Sequence, residues 1–322
     1  MDKVKCMNAS FSSLEQAAAL PRWPLHLAIG MFDGVHLGHR AVIEAAVQSA
    51  RSSGGLAVVL TFFPHPSTLF RPENPTRLIM PPAAKARVLF QLGVDAVIEQ
   101  PFTLEFARIA AEEFLPHLRR TLPTLSRIYV GENWRFGRGR RGDVPFLVAE
   151  GRRLGLAVFS APRVNLDGEP ISSTRLRTLI WEGDIAAANT LFGYNYFSEG
   201  VVVPGAHLGR ELGFPTLNLG WEPELQPRFG VYTVRVSGTK SPEPLPAVAN
   251  YGLRPTVGND THPRLEAHVL GPCPFGEGDT ITVEWLRFLR PEKKFANAGG
   301  LRAQIAQDVA AAQAEFGLPQ KK

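Results

Sequence analysis

The sequence predicts a two-part chain: an α/β domain on a parallel sheet, then a small antiparallel β domain closed by one helix. Three observations predict it. Between Leu25 and Ala161, short apolar runs alternate with segments of helical periodicity, the pattern of βαβ units with both sheet faces covered. After Gly193 the texture changes to short strand-like runs separated by Gly- and Pro-containing turns. The 322 residues suffice for two ordinary domains, and a composition of 44% hydrophobic and 20% charged residues can build a core in each.

In the first part, Leu25–Ile29, Leu56–Thr61, Val94–Glu99, Arg127–Val130 and Leu156–Ser160 read as buried strands. Ala41–Ser52, Ala83–Leu92, Glu112–Arg120 and Phe146–Leu154 read as the helices between them. Ser172–Glu182 and Asp184–Phe192 follow as two short helices, capped by Ser172 or Ser173 and by Asp184. Beyond Gly193, the strands Tyr196–Val203, Gly230–Val236, Leu245–Asn250, Leu265–Leu270 and Thr280–Leu286 suggest a small barrel or sandwich. Ala298–Phe316 reads as a terminal amphipathic helix. The boundary falls near Gly193–Phe197, giving domains of residues 1–193 and 194–322.

The net charge is +5, but no long basic block carries it; the one dense cluster is Arg135–Arg141, with Lys321 and Lys322 at the end. Such a scattered excess fits phosphorylated small molecules as well as a polynucleotide, and the reading taken is small molecules and no nucleic acid. Cys6 and Cys273 stand in no metal-ligand spacing, which argues against a disulfide framework or structural zinc. No signal peptide is expected at Met1–Lys5, and no apolar run approaches the roughly 20 residues of a membrane span. The expectation is a cytoplasmic protein with no membrane partner.

Ala28–His39 follows a strand and leads into a helix. Gly30, Gly34 and Gly38 allow a tight turn and a close backbone approach to a ligand. His36 and His39, three apart at the helix start, can face one anion, and the free N–H groups there favour phosphate. In-line attack at an α-phosphate needs such donors and no protein nucleophile. Two incidental histidines, or a metal pair, would fit the spacing too. Ile171–Arg177 sets three hydroxyls and two arginines at a second helix start, which suits phosphate but is also how an ordinary serine cap reads.

Gly30–His39 with Ile171–Arg177 resembles the adenylyltransferase half of the bacterial bifunctional riboflavin kinase/FAD synthetase family. Thr61–Pro66 is similar to that family's TFxPHP motif, and Gly131–Asp143 to its G-E/D-N-F-x-F-G…G-D motif, with Trp134 in place of the usual Phe. The resemblance implies a Rossmann-like nucleotidyltransferase domain. In it, His36 and His39 are catalytic and contact ATP phosphates, while Gly30, Phe32, Asp33, Gly34, Gly38, Ser172, Ser173, Thr174 and Arg175 bind ATP. Phe62, Pro64, His65, Asn133, Arg135 and Phe136 are implied to hold the flavin. These residue types suit a flavin pocket, which needs apolar faces and a few polar groups, although core packing explains such aromatics equally.

Gly205–Asn218 resembles the riboflavin kinase motif G-x-x-x-G-x-x-L-G-F-P-T-x-N. Thr216 and Asn218 alternate along an expected strand, so both point to one face, and an oxygen-rich pair suits Mg²⁺. No Walker P-loop occurs. Asn250–Thr256 is similar to the kinase N-x-G-x-x-P-T segment, and Arg264–Leu270 to the strand bearing the catalytic glutamate, here Glu266. A surface ion pair would explain a lone strand glutamate as well. The resemblance further implies that Gly205, Gly209, Gly213, Pro215, Asn250 and Arg290 bind kinase substrates and that Thr216 and Asn218 bind the metal. Gly271–Gly276 departs from the family, and Pro272 should end its strand early.

The function implied is ATP-dependent phosphorylation of riboflavin to FMN in a riboflavin kinase-like barrel. Adenylylation of FMN to FAD with release of pyrophosphate follows in the α/β domain. Both would use Mg²⁺, with ATP and riboflavin or FMN as small-molecule partners. A single-activity enzyme and a non-catalytic flavin- or RNA-binding regulator are the competing readings.

Overall fold

A computed structural model describes residues 8–205, 208–253 and 262–319. The chain divides into two compact units after Ser173. In the first, β1 (Ala9–Phe11), β2 (Leu25–Ile29), β3 (Leu56–Phe63), β4 (Ala96–Pro101), β5 (Leu125–Gly131) and β6 (Ala157–Ala161) form one sheet. Its order is β1-β4-β3-β2-β5-β6 and every neighbouring pair is parallel. The connections hold α1 (Leu37–Ser53), α2 (Pro66–Phe70), α3 (Pro82–Gln91), α4 (Leu104–Ala107), α5 (Ala111–Thr121) and α6 (Val144–Arg153). A short hairpin of β7 (Asn165–Leu166) and β8 (Glu169–Pro170) follows.

The expected parallel sheet is therefore present, with one addition. The edge strand β1 is three residues long, too short to show a period in the sequence. All five residues of β2 are buried, as a central parallel strand requires. Strand order runs from β2 through β3 to β4 on one side and from β5 to β6 on the other. The reversal between β2 and β5 is a topological switch point, and ligands of such sheets bind outside the carboxyl ends there.

The second unit opens with most of α7 (Ser173–Glu182) and α8 (Ile185–Phe192). Then come β9 (Phe197–Val203), α9 (Leu208–Glu211), β10 (Leu217–Gly220), β11 (Gly230–Gly238), β12 (Ser241–Gly252), β13 (Arg264–Val269), β14 (Thr280–Pro291) and α10 (Ala298–Glu315). The strands close into an antiparallel barrel, β10-β13-β12-β11-β14-β9, which decides between barrel and sandwich. Side chains fill so small a barrel. Trp285, fully buried, meets Tyr232, Trp221 and Tyr251 at centroid distances of 4.6, 5.7 and 5.8 Å.

The boundary expected near Gly193 and the division after Ser173 differ by α7 and α8. Both helices bond to the barrel: Arg228 N–H donates to Ile180 O at 3.2 Å, and the Asn189 amide donates to Trp285 O at 2.8 Å. The terminal helix α10 differs from a broadly amphipathic one. Its buried positions are Asp308 and Ala312, with Val309 packing beside Val231 and Val248. A bidentate pair, Arg290 to Asp308 at 2.8 and 2.6 Å, supplies what a wider apolar face would.

Candidate functional site

In the α/β unit, three expected segments leave three adjacent strands at the same edge. Gly30–His39 follows β2, Phe62–Pro66 ends β3, and Gly131–Phe136 ends β5. Parallel strands in the order β3-β2-β5 bring these carboxyl ends together at the switch point.

The turn after β2 is sharply bent. Phe32, Gly34 and Val35 have φ of 48°, 83° and 37°. Glycine takes such values freely, whereas Phe32 and Val35 are held there by burial, at 2% and 0% exposure. His36 then caps α1: its Nδ1 accepts the His39 N–H at 3.3 Å. The two imidazoles stack with centroids 3.6 Å apart, and Phe32 lies edge-on to His39 at 5.4 Å. A side chain on Gly38 would come within 3.2 Å of the His36 ring. The stacked pair thus sits where helix N–H groups favour an anion.

Asp33 braces this turn. Its carboxylate, 3% exposed, accepts the Ile79 N–H at 3.1 Å, and its carbonyl accepts from Ser173 Oγ at 2.9 Å. So Ser172 and Ser173 approach the His36 turn within one unit. Thr174 and Arg175 lie on α7 beyond the division.

The flavin candidates separate by burial. Phe62 is 8% exposed and packs on Phe102 and Phe106, while Phe136, 5% exposed, stacks on Trp134 at 4.7 Å. Both sit in the core, and the aromatic face left open near Pro64 is that of Phe63 and Phe70. His65 caps α2, its Nδ1 accepting from Ser67 N–H. Asn133 is exposed and donates to Glu132, and Arg135 lies 3.4 Å from Asp143.

On the barrel, one row of residues crosses three strands. Asn218 of β10 is opposite Glu266 of β13, and Glu266 is opposite Asn250 of β12. Their neighbours Leu217, Ala267 and Ala249 point inward, so the row stands on the outer face. Asn218 is 8% exposed, and its Oδ1 has no hydrogen-bond partner among the described residues. Gly205 lies against it: a Cβ there would meet the carboxamide at 2.2–2.9 Å. Thr216 falls one residue before β10, so it extends the strand face rather than belonging to the ladder. His268, two residues from Glu266, donates from Nδ1 to Pro215 O at 2.8 Å. Gly209 lies in α9 and Gly213, with φ of 88°, in the turn after it.

Glu292, just past β14, is a residue that sequence reasoning did not single out. Burial raises its pKa, while bonds from Asn250 and the Leu253 N–H, with nearby Arg290, act against that. It therefore ties Asn250 to the end of β14. Arg290 itself is engaged with Asp308. Ala206, His207 and Arg254–Thr256 lie outside the described residues.

A phosphate-suited turn at a parallel-sheet switch point, joined to a barrel with a carboxamide–carboxylate row, defines a two-domain transferase, part nucleotidyltransferase and part kinase. Residues 23–175 match the FAD synthetase family and residues 192–316 the riboflavin kinase family. The bifunctional riboflavin kinase/FMN adenylyltransferase of Escherichia coli K12 is 36% identical over 91% of this chain and 93% of its own. That of Listeria monocytogenes is 35% identical over 88% and 89%. The chain belongs to the bifunctional riboflavin kinase/FMN adenylyltransferase family. A crystal structure from Streptococcus pneumoniae, described as a macrolide-efflux protein, is similar at a TM-score of 0.83 and 28% identity, covering 94% of this chain and 98% of that one. Efflux is said of that protein; among the described residues here, no helix is long and apolar enough to cross a membrane.

Proposed function

We propose that the barrel unit phosphorylates riboflavin to FMN with ATP, and that the α/β unit transfers AMP from ATP to FMN, giving FAD and pyrophosphate. The observation that carries the pairing is that each unit holds its own constellation. The stacked His36–His39 pair is at the switch point, and the Asn218–Glu266–Asn250 row is on the barrel.

In adenylyl transfer, His36, His39 and the positive N-terminal end of α1 stabilise charge developing on the α-phosphate as the FMN phosphate attacks in line. Ser172 and Ser173 approach the same turn. Phe63 and Phe70 offer open aromatic faces to a flavin ring, and Phe70 packs on Phe102, which also contacts the buried Phe62. Asn133, Pro64, His65 and Arg135 supply polar and shape contacts at the rim.

In phosphoryl transfer, Glu266 accepts the proton of the ribityl hydroxyl as that oxygen attacks the γ-phosphate. A hard cation fits beside it. The buried Oδ1 of Asn218, without a hydrogen-bond partner among the described residues, and the Thr216 hydroxyl are oxygen donors of the kind Mg²⁺ takes together with nucleotide phosphates. Such a cation neutralises phosphate charge. Gly205, Gly209, Gly213 and Pro215 shape the segment leading to these donors.

Purified chain incubated with riboflavin, ATP and Mg²⁺ should give FMN and then FAD by chromatography. His39→Ala should stop FAD formation and leave FMN formation intact. FMN accumulating without FAD, or no FMN at all, would remove one activity. A non-catalytic flavin binder would consume no ATP.

A further inference from the structure

The buried ammonium of Lys85 lies at the ends of β2 and β3. Lys85 is 5% exposed and shares the buried face of α3 with Ala84, Val88 and Leu89. Its Nζ donates to Thr61 Oγ1 at 2.8 Å and to Met31 O at 3.4 Å, and Thr61 Oγ1 donates to the same carbonyl at 2.9 Å. One helix and two strand ends thus converge on the carbonyl of Met31. Burial lowers the lysine's pKa, and the carboxylates of Glu99 and Asp33 oppose that shift.

Docking α3 does not require this charge. The rest of its buried face is aliphatic, and an apolar side chain would avoid the desolvation that a buried cation incurs. What the charge reaches is the first residue of the His36 turn. Phe32 and Val35, immediately beyond, hold positive φ values that persist only when the surroundings impose them. Ile79 N–H and Ser173 Oγ hold the turn at Asp33. Lys85 and Thr61 hold it at its start.

We propose that Lys85 is a positioning residue for adenylyl transfer, fixing the Met31–Val35 turn so that His36 and His39 are presented as a stacked pair. The proposal rests on the function assigned above to that site. Lys85 acts through the turn: its hydrogen bonds end on Thr61 and Met31, not on the histidines.

The test compares full-length parent, Lys85→Met and Lys85→Arg in three measurements. These are steady-state FAD formation from FMN and ATP, FMN formation from riboflavin, and hydrogen exchange of the Met31–His39 backbone. Lys85→Met should lower kcat for FAD formation by about tenfold or more with KM for ATP changed by less than about threefold, because the histidines are misplaced rather than removed. FMN formation should stay within about twofold, and Lys85→Arg, which keeps the charge, should recover much of the lost kcat. Exchange should quicken in the turn while β2 and β3 keep their protection.

Unchanged exchange in the turn, or unchanged kcat, overturns the proposal. So does loss of protection throughout the sheet together with the turn, which marks ordinary destabilisation. If Lys85→Met does not fold, Lys85→Gln, which removes the charge and keeps a polar side chain, decides by the same exchange pattern: protection changed in the turn alone supports the proposal, and no change overturns it. A parent that makes no FAD sinks the functional reading, while the exchange comparison still reports whether Lys85 holds the turn.

Discussion

Asn218 and Glu266 face each other across β10 and β13, so the carboxamide assigned to the metal and the carboxylate assigned as base share one row of the barrel's outer surface. The two residues are 48 positions apart in the chain. Glu266→Gln keeps the shape and removes the proton acceptor. FMN formation should fall by about 100-fold or more, the usual scale for losing a general base. FAD formation from supplied FMN should be unchanged. Retention of FMN formation would transfer the role elsewhere.

Gly205 makes that row sensitive to one methyl group. A Cβ would come within 2.2 Å of Asn218 Nδ2, and the carboxamide is nine-tenths buried with little room to yield. Gly205→Ala should therefore turn the Asn218 amide and raise the Mg²⁺ concentration for half-maximal FMN formation by about tenfold, as expected for losing one of few oxygen ligands. A Mg²⁺ titration of both proteins checks it.

The sequence makes the sheet and the barrel legible because each imposes its own period on apolar residues. Leu25–Ile29 is predicted and observed with the same bounds. Motif order along the chain also delivers the His36 turn and the Glu266 strand. Other features are invisible for physical reasons. β1 has three residues, and its identity as a strand comes from pairing with β4, a contact 87 residues away in register (Ala9 with Ala96). Lys85 carries a weak signal, a lysine on an otherwise apolar helix face, but a charged residue there ordinarily snorkels to solvent. Nothing local says that its ammonium ends on the Met31 carbonyl. Phe62 and Phe136 show the opposite limit, since sequence gives an aromatic near a strand end without saying which face is left open.

Arg290 and Asp308 join β14 to α10 through a nearly buried bidentate pair, with side chains 15% and 8% exposed. Arg290→Met strands the Asp308 carboxylate in a low-dielectric site. That should destabilise the barrel unit by about 3 kcal/mol, while Arg290→Met with Asp308→Leu should recover part of the loss. Urea unfolding of the single and double variants measures the difference. Equal stability of parent and single variant would show that the Arg290–Asp308 pair contributes nothing net to docking α10.

His26 makes the α/β unit sensitive to acid. It is fully buried in β2, its Nδ1 3.3 Å from Tyr129 Oη and its Nε2 2.8 Å from Ser53 Oγ. Burial, with Arg127 nearby, holds its pKa at about 4 against 6.5 for the free side chain. Between those values the unfolded chain binds a proton that the folded chain refuses. This contribution is complete above pH 6.5 and is lost as pH falls from there toward 4. Of the roughly 3 kcal/mol that this shift carries in full, about 2 kcal/mol should be lost between pH 7 and pH 5. Calorimetry at pH 7 and pH 5 should show the α/β transition moving down, and His26→Gln should flatten that dependence. The two bonds to Ser53 and Tyr129 then separate two effects. If the variant is less stable at pH 7 but equally pH-sensitive, the imidazole serves packing alone and the acid response comes from the carboxylates.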